Sequence, residues 1–286
     1  MMKTDEALVQ AVCEVAREAG RATLQFHGGP VSVERKGDDS PLTAADKASH
    51  TLILEALRRL TPDIPVLSEE SSEQDVAGRR KWNTFWLVDP LDGTKEFIKG
   101  TGEFTVNIAL VSGTEPVMGV VHVPVTGVTY WGRKGAGAFM ARAGQAPGAI
   151  RTRPARLERL VIVASKDHAG PQVEALLKRL TTASTANMGS SLKFCLVAEG
   201  KADFYPRLQP TYEWDTGAAQ CVLEAAGGAV TDTAGRRLVY NKEQLLNPSF
   251  LAFGDPRQDW LALLEGRASA HADGGPPALL PGDPSR

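Results

Sequence analysis

The chain is poor in cysteine: Cys13, Cys195 and Cys221 are its only three, and no two form a C-x-x-C pair. An odd count without paired spacing argues against both a disulfide framework and a cysteine zinc site, and it fits a reducing cytoplasm. Charge of one sign is also missing. Lys and Arg number 32 against 34 Asp and Glu, a net charge of -2, and they are spread along the chain. A nucleic-acid backbone is therefore not the expected partner, although a small anion needs only a local pocket. No apolar run approaches membrane-spanning length. The opening "MMKTDEALVQAVCEVAREAG" sets Asp5, Glu6, Glu14 and Glu18 inside its apolar pattern, unlike a signal peptide, so a soluble protein is expected. There is no internal repeat, no G-x-S-x-G and no Walker G-x-x-x-x-G-K-[ST].

What is present suffices for a real core, since 42% of the residues are hydrophobic. Leu8, Val12, Val15 and Ala19 recur at helical spacing, with Gly20 an imperfect stop before Phe26. After the turn-rich "RKGDDSPLTAADKASH", a second helix is expected through Leu52, Ile53, Leu57 and Leu60, closed by Thr61-Pro62. "IPVLSEES" and "FWLVD" read as strands, and "FTVNIALVSGTEPVMGVVHVPVTGVTYWG" as an antiparallel meander. From Ala141 to Arg156 the composition turns to Ala, Gly, Pro and Arg, as expected of a crossing between domains. Beyond it, "LERLVIVAS", "ADFYPR" and "AVTD" read as strands. "PQVEALLKRL", "SSLKFCLVAEG" and "WDTGAAQCVLEAAGG" read as helices between them, an α/β alternation. The expected division is an α+β unit over 1–150, an α/β unit over 151–266 and a disordered tail over 267–286.

Acids carry the chemistry. Glu69 and Glu70 follow "VLS", Asp89 and Asp92 lie in "WLVDPLDGTKEFIKG", Asp46 lies in "LTAAD" and Asp215 in "EWDTG". Each alone has a structural reading; Asp92 and Asp215 would each serve as a helix cap. Placement argues for more, because Glu69, Asp89 and Asp92 sit at strand C-terminal ends, where open sheets present ligands. Carboxylates gathered there repel one another unless a cation lies between them. An all-oxygen set suits Mg²⁺, Mn²⁺ or Ca²⁺ better than zinc. Beside them, Gly93 admits close backbone approach and Thr94 opens a helix whose free N–H groups attract phosphate. Two metals held there would clamp a phosphoryl group and activate water, with Asp46 and the Thr94 hydroxyl as candidates to orient or deprotonate it.

Other phosphatase chemistries fail by spacing. An aspartyl-phosphate enzyme of the haloacid dehalogenase type needs D-x-D-G-T, and here Pro90 and Leu91 separate the aspartates. A cysteine phosphatase needs Arg six positions after its Cys, where this chain has Ala19, Lys201 and Gly227. Direct attack by metal-activated water is left.

"SEES", "WLVDPLDGTKEF" and "EWDTGAAQCVLEAAGG" resemble the inositol monophosphatase superfamily of Mg²⁺-dependent, lithium-sensitive phosphatases, over roughly residues 5 to 265. "KGDDSPLTAAD", Lys95-Glu96-Phe97 and "GSSLKFCLVAEGKADFYPR" look like its 3'(2'),5'-bisphosphate nucleotidase branch. That branch removes the 3'-phosphate of adenosine 3',5'-bisphosphate to give AMP, in sulfur assimilation. The resemblance implies a layered α/β/α/β/α sandwich with the site between its halves. It implies two or three Mg²⁺ ions, held by Glu69, Asp89, the Leu91 carbonyl, Asp92 and Asp215, with Glu70 outside them or on a third ion. It implies that Asp46 and Thr94 activate water and that the Gly93 and Thr94 backbone holds the scissile phosphate. Lys193 and Arg207 are candidates for a second phosphate or the nucleoside side, and Ser165 and Lys166 for the pocket wall. Trp214 is expected in the core, and His122 and His168 are expected to be structural or exposed rather than catalytic. The chain would act as a monomer or homodimer. The alternatives are an inositol or sugar phosphatase with the same machinery and a non-catalytic nucleotide or metal sensor.

Overall fold

The first helix begins at Asp5, whose carboxylate accepts the Leu8 N–H at 2.9 Å, and buries Val9, Val12, Cys13, Ala16 and Ala19 along one face. The computed structural model describes residues 5–28, 33–35, 41–164, 170–180 and 183–267. In chain order it contains α1 (Glu6–Leu24), the hairpin β1 (Val33–Arg35) and β2 (Pro41–Thr43), α2 (Ala44–Leu60), β3 (Val66–Ser68) and α3 (Glu73–Gly78). β4 (Thr84–Asp92) and α4 (Thr94–Ile98) lead into β5 (Thr105–Ser112), β6 (Glu115–Val123), β7 (Val128–Arg133), β8 (Gly137–Ala141) and β9 (Gly148–Ile150). Then come β10 (Val161–Ala164), α5 (Gly170–Arg179), β11 (Ser184–Asn187), α6 (Leu192–Ala198) and β12 (Phe204–Arg207). α7 (Glu213–Ala225), β13 (Ala229–Asp232), β14 (Phe250–Phe253) and α8 (Trp260–Glu265) complete it.

Two sheets organise these elements. Strands β3 to β9 lie side by side in sequence order, all antiparallel except β3 on β4. The second sheet has the order β11-β10-β12-β14-β13 and is mixed, with β11, β10 and β12 parallel and β14 antiparallel to both β12 and β13. The Ala141–Arg156 segment is more than a crossing, because Gly148–Ile150 adds an edge strand to the first sheet. The expected tail lies, beyond Arg267, outside the described residues.

Burial defines the layers. Residues of α1 and α2 pack on Trp86, Val88, Ile108 and Val120 of the first sheet. Its opposite face meets α6 and α7, which in turn cover Val163, Tyr205 and Phe250 of the second sheet. Leu176 of α5 and Trp260 and Leu264 of α8 close the far side against Ile162 and Phe204, with Trp260 stacked on Phe204 at 4.7 Å. This is the layered α/β/α/β/α sandwich expected above. Each fully buried side chain of this size contributes about 1.5–3 kcal/mol.

Helix α7 sits unusually low on the first sheet. Gly119 and Gly132 face each other across β6 and β7. A Cβ on Gly119 would stand 2.2 Å from the Ala218 carbonyl oxygen, and one on Gly132 would stand 2.7 Å from Val222 Cα. The paired glycines form a trough that lets helix backbone touch sheet backbone. Among the described residues no helix is long and apolar enough to cross a membrane.

Candidate active site

Asp89 and Asp92 are three residues apart on β4, and in a regular strand that spacing points side chains to opposite faces. The strand is not regular there. Asp89 pairs with Asn107 and Asp92 with Thr105, so β4 holds one residue more than β5 across this step, a β-bulge. Both aspartates consequently share a side with Thr105 and Asn107, whose side chains donate to Asp92 Oδ2 at 3.4 and 3.3 Å. Asp215, in the first turn of α7, accepts the Tyr212 N–H at 2.8 Å and joins them. Ligand oxygens of Asp89, Asp92 and Asp215 lie within 4.8 Å of one another.

Glu69 enters from the neighbouring strand. Parallel pairing of Ser68 with Val88 brings β3 to the same end as Asp89, and the Glu69 N–H donates to the Val88 carbonyl at 3.0 Å. Glu69, Asp92, Gly93, Thr94 and Asp215 line one cavity of about 430 Å³, together with Lys193 and Arg207. Glu70 is not among the lining residues. It is half-buried, its N–H donates to Ser68 Oγ at 3.4 Å, and its charge is felt by His50.

Burial pushes Asp89, Asp92 and Asp215 upward, and repulsion between carboxylates adds to it at Asp89 and Asp215. Asp89 is held well above the ordinary carboxylate value by burial first and by the charges of Glu69, Asp92 and Asp215 next. Asp215 is raised well above it by burial and by Asp92 and Glu69. Asp92 is raised by burial, against the pull of Lys193 and of the Ser191 N–H. An all-oxygen cluster that resists ionisation by itself fits a hard divalent cation. The sign of the pH dependence follows. Acids with a raised folded pKa stabilise the protein below the unfolded carboxylate value, about 4, and that contribution is lost as pH climbs through the raised values. We expect the melting temperature of the metal-free protein to fall on going upward from pH 4, and Mg²⁺ to reverse the fall. Calorimetry over a pH series with EDTA or Mg²⁺ measures this; two coincident curves would contradict a cation site.

The Asp-Pro-Leu-Asp turn is braced from α2. Ser49 Oγ donates to the Pro90 carbonyl at 2.7 Å, and the Leu91 N–H donates to Asp89 Oδ1 at 3.0 Å. The Leu91 carbonyl accepts Thr94 Oγ1 at 3.4 Å. Asp46 is buried at the start of α2 in a capping box with Thr43, accepting Thr43 N at 2.8 Å and Oγ1 at 2.5 Å. It does not line the cavity, whereas Thr94 does. Asp92 is not the cap of α4. Gly93 takes that position with φ +95°, in the left-handed region that favours glycine.

Lys193 is 5% exposed, donates to the Met188 carbonyl at 3.3 Å and lies over the Tyr205 ring at 5.4 Å. Burial lowers its pKa to about 8 despite Asp92 nearby. Arg207 donates to the Gln209 and Pro210 carbonyls at 3.2 and 3.3 Å. Trp214 packs on the core and stacks on Tyr212 at 4.9 Å. His122 is buried and bonded to Thr129. Ser165, Lys166 and His168 lie outside the described residues.

Sequence reading missed the groups that hold Asp92. The Ser191 N–H donates to Asp92 Oδ2 at 2.6 Å, and Ser191 Oγ contacts both Asn107 Oδ1 and Thr105 Oγ1 at 2.8 Å. The sequence signal was the alternation of Thr105 and Asn107 on an otherwise apolar strand.

The Inositol monophosphatase family profile matches residues 2–267. The chain is 50% identical over 246 residues to the 3'(2'),5'-bisphosphate nucleotidase CysQ of Salmonella typhimurium, covering 85% of this chain and 98% of that one. It is 36% identical over 267 residues to the protein of the same name from Haemophilus influenzae, covering 93% and 99%. Among solved structures, CysQ from Bacteroides thetaiotaomicron superposes with a TM-score of 0.76 at 41% identity, over 88% of this chain and 98% of that one. The Thermotoga maritima IMPase, at 24% identity, shares the fold with a TM-score of 0.75 over 91% and 97%. By sequence and by structure, the chain belongs to the inositol monophosphatase family.

Proposed function

We propose that this chain hydrolyses the 3'-phosphate of adenosine 3',5'-bisphosphate to AMP and phosphate, with Mg²⁺ as its cofactor. The observation that carries the bisphosphate reading is one cavity lined both by Glu69, Asp92 and Asp215 and by three cationic side chains, Lys95, Lys193 and Arg207. The names of the relatives at 36% to 50% identity point the same way. Three buried free cysteines accord with a reducing cytoplasm.

Glu69, Asp89, Asp92, Asp215 and the Leu91 carbonyl would hold the cations, with Glu70 available to a further one. Bound there, Mg²⁺ neutralises phosphoryl charge and lowers the pKa of the attacking water. The Gly93 and Thr94 N–H groups hold the scissile phosphate in place. The Thr94 hydroxyl, which lines the cavity, orients the water, and the proton passes by way of that hydroxyl to the Asp46 carboxylate, which lies outside the cavity lining. Lys193 and Arg207 bind the second phosphate by charge-assisted hydrogen bonds.

The deciding measurement is kcat/KM for adenosine 3',5'-bisphosphate beside inositol 1-phosphate, both with Mg²⁺. Equal values, or a preference for the inositol ester, would replace the nucleotidase reading with that of a broader sugar-phosphate phosphatase. Lys193→Ala should raise KM for the bisphosphate about tenfold or more, the worth of a hydrogen bond to a charged group, with little effect on a monophosphate. Because its pKa is about 8, the parent should lose affinity for the bisphosphate alone as pH rises past that value. Parallel losses on both substrates would remove Lys193 from the second-phosphate role.

A further inference from the structure

A second cavity, of about 440 Å³, opens on the α1 side of the first sheet and shares no lining residue with the acidic one. Arg17 and Arg21 enter it from one face of α1, His122 and Pro124 from the end of β6, and Arg142 from the loop between β8 and β9. Glu14 already pairs with Arg17 at 3.1 Å and with Arg21 at 2.9 Å, and Glu18 reaches Arg21 at 3.9 Å. Arg142 makes no ion pair among the described residues, so three guanidinium groups face two carboxylates. The positive field reaches the wall of the cavity. His122 is 4% exposed, and its pKa falls to about 4, chiefly by burial and then by the charge of Arg17, with Arg21 adding to it. Its Nδ1 is engaged with Thr129 Oγ1 at 3.0 Å, and its opposite edge packs on Gly20, where a Cβ would stand 2.6 Å from Cδ2. The imidazole is thus a neutral, fixed part of the wall. Leu24, Pro124 and Pro147 give that wall apolar surface as well.

We propose that this cavity is a second ligand site, for a phosphorylated small molecule. Arg21 and Arg142 pair with its phosphate, and the apolar wall receives its organic part. Guanidinium groups match phosphate oxygens two at a time, and the volume falls within the range of small-molecule sites, about 300–1,000 Å³. The site is independent of the reaction proposed above, because neither arginine belongs to the acidic cavity.

The probes are phenyl phosphate and inorganic phosphate, titrated into the full-length protein with EDTA present to suppress turnover. The readout is the ring resonances of His122 by NMR. Phenyl phosphate should move them saturably with a dissociation constant around 1 mM or tighter, and inorganic phosphate should bind more weakly for want of an apolar part. The double variant Arg21→Ala/Arg142→Ala should weaken phenyl phosphate at least tenfold and leave Mg²⁺-dependent turnover at the parent level. Lys193→Ala, which alters only the acidic cavity, should leave the titration unchanged. The proposal is overturned by the absence of a saturable response, by one that survives in the double arginine variant, or by one that Lys193→Ala abolishes.

Discussion

Asp92→Asn should abolish phosphate release and leave the protein folded. The amide keeps the shape of the side chain and an oxygen that accepts the Ser191 N–H now donated to Oδ2 at 2.6 Å. It removes one of three charges whose oxygens crowd within 4.8 Å. In the metal-free protein that relieves repulsion on Asp89 and Asp215, both raised partly by Asp92, so the melting temperature should hold or rise. Activity should fall by more than about a hundredfold, since loss of outer partners of a metal site already costs about 10- to 100-fold. Stabilisation by Mg²⁺ should vanish with it. Turnover and melting, each measured with and without Mg²⁺, separate the two effects; a variant with parental turnover would remove Asp92 from the metal site.

The second large effect concerns stability. Lys242 and Glu213 form an ion pair at 2.7 Å with side chains 2% and 0% exposed. Lys242 Nζ also donates to the Asn247 side-chain oxygen and the Val239 carbonyl, both at 3.1 Å. Glu213 accepts the backbone N–H groups of Asn241 and Lys242 at 2.8 and 2.9 Å. Lys242→Met fills nearly the same volume but leaves Glu213 charged and unpaired in the interior. The expected loss is about 3–5 kcal/mol, the range for breaking a buried pair from one side. Adding Glu213→Gln should recover most of it, because no lone charge then remains buried, and the recovery measures the coupling between the two. Urea unfolding of the parent, both single variants and the double variant tests this. A loss below about 1 kcal/mol in Lys242→Met would place the pair among those that contribute little.

Local signals made much of the fold readable. Helical spacing located α1 and the second half of α2, and β-branched runs located the meander, because in those segments the buried face repeats with the period of the element; the first turns of α2, from Ala44, lie in a stretch that reads as turn-rich. The edge strand β9 was hidden in Ala- and Gly-rich sequence whose pairing depends on β8, not on its own composition. Glu69, Asp89 and Asp92 stand out because three acids gathered at strand ends repel one another without a cation, and Asp215 stands out through the resemblance carried by "EWDTGAAQCVLEAAGG". Their convergence on one side depends on the bulge between Asp89 and Asp92, which nothing in "DPLD" announces. Ser191 braces Asp92 from 99 positions away, and Lys242 in "YNKEQ" looks like a surface lysine until Glu213 is seen beside it. Contacts of that separation are set by the packing of layers, to which local pattern is blind.

The trough under α7 bears on how sharply the acidic cluster is defined. Asp89 and Asp92 belong to the first sheet, whereas Asp215 rides on a helix that meets that sheet at Gly119 and Gly132. At those two points no side chain lies between the two backbones, so no rotamer can adjust the spacing between them. The sheet acts as a ruler for both sets of acids, and the distance from Asp215 to the strand aspartates inherits the stiffness of main chain. A single methyl group at Gly119 would have to lift the helix, opening the cluster from beneath without touching any of its carboxylates.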